Sequence, residues 1–124
     1  MFDYSLLLSA IILVSIDFIY LNIIQDYFIW QVKMVQGSAP KINYLGVALC
    51  YIFLIVAIHY FIIAPHKSVN DAFLLGLVIY GVYETTNYAL LRNWHIFTAF
   101  LDTLWGATLF ASTTYLVYLL QKYV

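Results

Sequence analysis

Charged residues are scarce in this sequence: only 9% of its 124 residues are Asp, Glu, Lys or Arg, whereas 65% are apolar. Ordinary soluble domains carry roughly a quarter charged residues. A chain of this length keeps much of its surface exposed when it folds. The charged residues here are too few to make that surface soluble in water. The composition therefore predicts an integral membrane protein whose natural solvent is the lipid bilayer.

Other absences exclude several classes of function. There is no run of basic residues and the net charge is -1, so no nucleic-acid partner is expected. Cys50 is the only cysteine, which excludes an internal disulfide and a cysteine metal cluster. The sequence has no zinc-ligand spacing, no Ser-His-Asp order and no glycine-rich phosphate loop. We therefore predict no cofactor and no dedicated metal site.

Four apolar segments are long enough to cross the ~30 Å hydrocarbon core of a bilayer, which takes about 20 helical residues. They cover about residues 5–24, 43–64, 72–91 and 96–120. Pro65 ends the second segment, and short polar links make successive spans antiparallel. The sequence thus predicts an all-α, integral membrane four-helix bundle in a single transmembrane domain, multi-pass in a membrane that the sequence does not identify.

The connection between the first two spans mixes aromatic and polar residues over residues 26–36, before residues 37–40 break any helix. One interpretation is a short interfacial amphipathic segment with Trp30 at the depth of the lipid headgroups. The other is that the first helix continues beyond the membrane. Arg92 and Trp94, in the last connection, are predicted at the same interface. We call the side of these two connections face B, and the side of the termini face A.

Three acidic residues lie within the spans: Asp17 in the first, Glu84 in the third and Asp102 in the fourth. At a rise of ~1.5 Å per residue, each lies roughly 10 Å inside the face B boundary, so one layer can contain all three. A carboxylate at the centre of a membrane helix costs ~2.5–3.5 kcal/mol, and we therefore expect each to point inward. By the same measure His59 belongs to a different layer, near face A.

The neighbours of these acids at helical spacing are polar or aromatic. No Lys or Arg lies within a span to neutralise the carboxyls. We predict a ligand or proton site formed by Asp17, Tyr20, Tyr80, Glu84, Asn87, Asp102 and Trp105.

Several functions are compatible with this layer. The leading hypothesis is that the protein binds or conducts a proton, a cation or a small polar solute there, within one chain or a homo-oligomer. An alternative is an intramembrane enzyme that acts on a lipid-like substrate with Glu84 and Asp102 as acid and base. A third is an accessory subunit whose polar layer is structural. Polar contacts between membrane helices stabilise by only ~0.6 kcal/mol on average where measured, which is small against the cost of burying three ionisable groups. A functional layer is therefore favoured over a structural one.

Two motifs carry a family resemblance: residues 83–89 read YETTNYA and are followed by Trp94, and residues 102–106 read DTLWG. The sequence resembles the predicted membrane proteins of domain of unknown function family 2177 over nearly its whole length. That family's pattern is an aromatic, an acid, any residue and Thr-Asn-x-Ala, then Trp and a later Asp-x-x-Trp-Gly.

The resemblance implies a four-span fold but no particular activity. This chain has Glu84 where the family usually has Asp, Leu90 where Thr is common, and His95 where Pro often follows the tryptophan. The residues to which the resemblance gives functional emphasis are Asp17, Glu84, Asn87, Trp94, Asp102 and Trp105.

Overall fold

The computed structural model describes residues 4–123, and within that range it is helical with no strand. The four helices are α1 (Tyr4–Gln36), α2 (Tyr44–Ile58), α3 (Val69–Leu90) and α4 (Ile96–Gln121), and a π-helical segment, His59–Ile63, extends α2. The predicted all-α class and the number of helices are confirmed.

Three of the four helices are long and apolar enough to cross a membrane: α1, α2 with its π-helical extension, and α4. Helix α3 has 22 residues, which is sufficient length, but it carries the polar run Glu84-Thr85-Thr86-Asn87 near its end. That run lowers the apolarity of the helix below that of the other three. A crossing by α3 stays a prediction from the sequence.

Helix α1 runs unbroken through Asp26 to Gln36, so the predicted interfacial segment is not a separate element. The structure agrees with the other interpretation, in which the first helix continues beyond the predicted span. Its 33 residues span ~50 Å at ~1.5 Å per residue, well beyond the ~30 Å hydrocarbon core. The helix ends at Gly37, whose φ of 79° suits glycine and whose N–H donates to the Lys33 carbonyl.

Capping side chains and one π-helical turn mark other helix ends. Asn43 caps α2 by accepting from the Gly46 N–H, and Ser68 caps α3 by accepting from the Asp71 N–H. At the end of α2 the Ala64 N–H donates to the His59 carbonyl, five residues back, which makes the last turn π-helical. These caps fix short connections at both faces of the bundle.

Close approach of backbones defines the pair α3 and α4. A Cβ built on Gly76 would lie 2.8 Å from the Phe110 Cβ and closer still to the Gly106 carbonyl, while one built on Gly106 would overlap the Tyr80 ring. Only glycine at positions 76 and 106 allows this packing, as small residues do between membrane helices. Helices α3 and α4 consequently share the largest helix–helix contact.

The remaining helices complete an open arc rather than a closed ring. Helix α4 packs on α1, and α1 packs on α2, but the backbone of α2 makes no extensive close approach to that of α3 or α4. The half of the bundle towards face A is filled by a core of buried apolar side chains. That core comprises Leu13, Leu54, Ile58, Ile62, Ile63, Ala72, Leu109, Phe110 and Val117. The half towards face B is left with a cavity.

Candidate functional site

Asp17 is the best satisfied of the three acids. It is only 7% exposed, and each of its carboxyl oxygens accepts one hydrogen bond. The Trp105 indole Nε1 donates to Oδ1 at 2.9 Å, and the Tyr51 hydroxyl donates to Oδ2. Donors from α2 and α4 thus hold this carboxyl of α1 in place, and they tie together three helices at one depth.

Asp102 is linked to Asp17 through two aromatic rings. The Tyr20 hydroxyl points at Asp102 Oδ1 at 3.5 Å, the long limit of a hydrogen bond. The Tyr20 ring in turn stacks on Trp105, with centroids 4.2 Å apart and planes 5° from parallel. Because Trp105 donates to Asp17, the stacked pair lies between the two acids and fixes their spacing.

Glu84 is the most deeply buried acid, at 1% exposure. The Trp94 indole Nε1 donates to its Oε1 at 2.9 Å. The Asp102 carboxyl is close enough to interact with Glu84 directly, yet Oε2 of Glu84 makes no hydrogen bond of ordinary geometry with any residue in 4–123. Glu84 and Asp102 therefore form a pair of neighbouring carboxyls in which one oxygen, Glu84 Oε2, accepts no hydrogen bond of ordinary geometry from residues 4–123.

A cavity of about 780 Å³ lies over these acids, between α1, α2 and α3. Binding pockets for small molecules have volumes of about 300–1,000 Å³. The lining surface is mostly apolar, and among residues 4–123 its carboxyls come from Asp17, Glu84 and Asp102. The remaining lining residues are Tyr20, Leu21, Phe28, Val32, Asn43, Gly46, Val47, Cys50, Tyr51, Phe53, Leu54, Ile79, Tyr80, Tyr83 and Trp94.

The structure brings most of the predicted site residues together. Asp17, Tyr20, Tyr80, Glu84 and Asp102 line the cavity, and Trp105 donates to Asp17 behind it. Asn87 is different. Its side chain makes no hydrogen bond with a described residue and does not line the cavity, although it lies one turn from Glu84 on α3.

The residues predicted at the face B interface separate into two kinds. Trp30 is 41% exposed, with its ring 4.9 Å from that of His95, and Arg92 is exposed in the last connection. Trp94, in contrast, turns inward to Glu84. His59, near face A, lies 3.1 Å from the Ser5 hydroxyl, outside the carboxylate layer.

A family model described as "Predicted membrane protein (DUF2177)" matches residues 3–119. The chain belongs to this family. No curated protein and no solved structure matches the chain. With three candidate spans among residues 4–123, the protein is a predicted membrane protein of unknown function.

The two family motifs meet at the site. The first motif supplies Glu84 and its donor Trp94, and the second supplies Asp102 and Trp105. Asp17 completes the set from α1. Asn87, which also belongs to the first motif, does not line the cavity. The motifs lie on the successive helices α3 and α4, and the close packing of these two helices brings their acids together.

Sequence reasoning missed Tyr51, although a signal for it was present. The second span begins near Asn43, eight residues earlier, which places Tyr51 ~12 Å inside face B at ~1.5 Å per residue. That is close to the depth of the three acids. Among 12 tyrosines its hydroxyl did not stand out, because no acid or other ionisable group accompanies it at helical spacing.

A second polar cluster, centred on Gln31, was also missed. Gln31 is fully buried; its Oε1 accepts from the His95 N–H at 3.0 Å and from the Thr98 hydroxyl, and its Nε2 donates to the Asn93 carbonyl at 2.9 Å. His95, the residue before α4, offers no capping side chain of its own. The long extension of α1 therefore caps α4 and holds the last connection above the cavity.

Proposed function

We propose that this protein binds a small organic cation, an alkylammonium group in its simplest form, at the layer of Asp17, Glu84 and Asp102. The observation that carries the proposal is electrostatic. Three carboxyls lie at one cavity, and no Lys or Arg forms an ion pair with them anywhere in residues 4–123. A cation is the partner that such a set of acceptors lacks.

The donor pattern of an ammonium group matches what the site offers. An ammonium carries N–H donors and a positive charge. Glu84 Oε2 has no partner of ordinary geometry among residues 4–123, and the neighbouring Asp102 carboxyl, which lines the cavity, accepts a long 3.5 Å contact from Tyr20. At an effective dielectric constant of about 20, a unit charge pair 4 Å apart gains ~4 kcal/mol. Tyr80, Tyr83 and Trp94 add aromatic rings to the same cavity, and such rings attract cations through their faces.

The closed core favours binding over conduction through a single chain. Below the carboxylate layer, Leu13, Leu54, Ile58 and Phe110 belong to one buried apolar cluster in the half towards face A. A charged solute in a dry apolar region of this kind pays a heavy desolvation cost. The cavity is therefore proposed as a blind pocket that is entered from the face B half.

The unique cysteine provides the test, because Cys50 is exposed and lines the cavity. The full chain in lipid nanodiscs is modified with methyl methanethiosulfonate, and the rate of Cys50 modification is followed by mass spectrometry. We expect butylamine at neutral pH to slow modification at least fivefold, because the bound ammonium fills the cavity. Butanol, of the same length but uncharged, should have little effect.

Matched acid variants give this test its specificity. Asp102→Asn should raise the butylamine concentration needed for protection at least tenfold, because it removes a cavity carboxylate while keeping its shape. Asp26→Asn is the control, since Asp26 is exposed on the α1 extension and does not line the cavity. Absence of protection in the wild-type protein, or equal protection in Asp102→Asn, would refute the proposal.

Acid–base catalysis on a lipid-like substrate is a second candidate, favoured by the neighbouring carboxyls of Glu84 and Asp102. Two such groups at one pocket can donate and accept a proton in the same reaction. The test is incubation of the protein with a total lipid extract, followed by mass spectrometry of products. Turnover that Glu84→Gln abolishes would establish an enzyme, and unchanged lipids would leave the binding function alone.

A further inference from the structure

The cavity has a side opening, and its walls there are apolar. Helices α2 and α3 face each other across the cavity without extensive contact, so the helical arc is not closed between them. Val47 and Phe53 of α2 and Tyr83 of α3 line the cavity and are all exposed, which is typical of residues at the rim of an open cavity. We call this opening, bounded by those three residues, the lateral mouth.

The cavity is much larger than an ammonium group requires. One water molecule occupies about 30 Å³ in the liquid, whereas the cavity holds about 780 Å³. A small cation at the carboxylate layer therefore leaves most of the apolar-walled space unfilled. Most of the lining surface is apolar, so water in the unfilled space finds few hydrogen-bond partners away from the acids.

Resting on the proposed function, we infer that the ligand is a long-chain amine: its ammonium group contacts the carboxylate layer, and its aliphatic chain leaves through the lateral mouth into the bilayer. The charge of the acids selects the head group, and the apolar walls of α2 and α3 select the chain. Because the mouth faces lipid in a membrane helix bundle, the chain never needs to enter water.

Chain length and a mouth-blocking variant test this assignment. Protection of Cys50 in nanodiscs is measured with dodecylamine and with butylamine, and each rate is divided by that of the same variant without amine. In Val47→Trp the larger side chain narrows the lateral mouth. We expect it to weaken protection by dodecylamine at least fivefold and to change protection by butylamine less than twofold.

Val56→Trp is the matched control, because Val56 is an exposed valine of α2 that does not line the cavity. It should change protection by either amine less than twofold. Dodecanol and dodecyl sulfate, with the same chain but a neutral or anionic head group, should protect at least tenfold less well than dodecylamine. Each ligand partitions into the bilayer equally with every variant, so a difference in protection between variants reflects binding at the site.

The outcomes separate the two proposals. If butylamine protects in a manner that needs Asp102, but Val47→Trp weakens both amines equally or neither, the long-chain ligand is refuted and cation binding stands. If neither amine protects, or Asp102→Asn leaves protection intact, cation binding falls and the long-chain ligand falls with it. Circular dichroism and size-exclusion chromatography confirm that each variant retains its helical fold before it is compared.

Discussion

The hydrogen bond between Trp94 and Glu84 yields the sharpest prediction about stability. Replacing Trp94 by Phe removes the indole N–H that donates to Glu84, a carboxyl that is 1% exposed. Within residues 4–123 this N–H is its only donor of ordinary geometry, since the other carboxyl oxygen has none. Leaving a buried polar group unsatisfied costs about 1–3 kcal/mol, although bonds between membrane helices fall towards the lower end. We expect Trp94→Phe to lower the free energy of unfolding by about 1–2 kcal/mol.

A double-mutant cycle isolates this bond from the packing of the ring. Unfolding is followed by circular dichroism in mixed micelles during titration with a denaturing detergent. In a Glu84→Leu background no carboxyl remains to be satisfied, so Trp94→Phe should then cost less than about 0.5 kcal/mol. Trp30→Phe serves as control, because Trp30 is exposed and donates no hydrogen bond within residues 4–123. An equal cost of Trp94→Phe in both backgrounds would show that the ring's packing, and not its N–H, matters.

Two further predictions concern the helix contacts that position the site. Gly76→Val should destabilise the fold by at least about 1–3 kcal/mol, because its side chain would meet the α4 backbone, whereas Gly46→Val, with ordinary contacts only, should cost little in the same unfolding assay. Gln31→Leu should cost about 1–3 kcal/mol and speed hydrogen exchange at the start of α4, because two donors and one carbonyl lose their partner. Gln25→Leu, at an exposed position of the same helix, should change neither; equal effects of the two glutamine variants would contradict the capping role.

That the three acids come together at one cavity was predictable because helical rise is constant. Asp17, Glu84 and Asp102 each lie a similar number of residues from a span end, and that count alone places them in one layer. The identity of the four helices followed in the same way from apolar length. Both inferences depend on distances along one helix axis, which the sequence records directly.

The lateral arrangement of the helices was not predictable from such counts. Nothing in the apolar pattern distinguishes an open arc from a closed bundle, because lipid-facing and partner-facing residues are equally apolar. Tyr80 was placed in the layer, but its contact with Gly106 depends on the pairing of α3 with α4. Tyr51 and Gln31 were missed for a related reason: their partners come from other helices, at separations that no local pattern encodes.

The continuation of α1 through Gln36 is one of two interpretations that the local sequence supports equally. Residues 26–36 contain no helix breaker, but their mixture of aromatic and polar side chains also suits a helix lying in the interface. Tertiary contacts distinguish the two interpretations. The buried amide of Gln31 and the Asn93 amide, which donates to the Met34 carbonyl, dock the extension on the last connection. These contacts accompany the continuation of α1 as one helix through Gln36.

The most direct test of cation binding is the distance from the amine to the acids. The protein is labelled with ¹³C at its Asp and Glu carboxyls, reconstituted in bilayers with ¹⁵N-butylamine, and studied by rotational-echo double-resonance solid-state NMR. We expect dephasing of carboxyl carbons that corresponds to about 3–4 Å from nitrogen, the range of a charge-assisted hydrogen bond. This dephasing should be lost in Asp102→Asn and retained in Asp26→Asn. Dephasing that is absent in the wild type, or unchanged in Asp102→Asn, would contradict binding at the carboxylate layer.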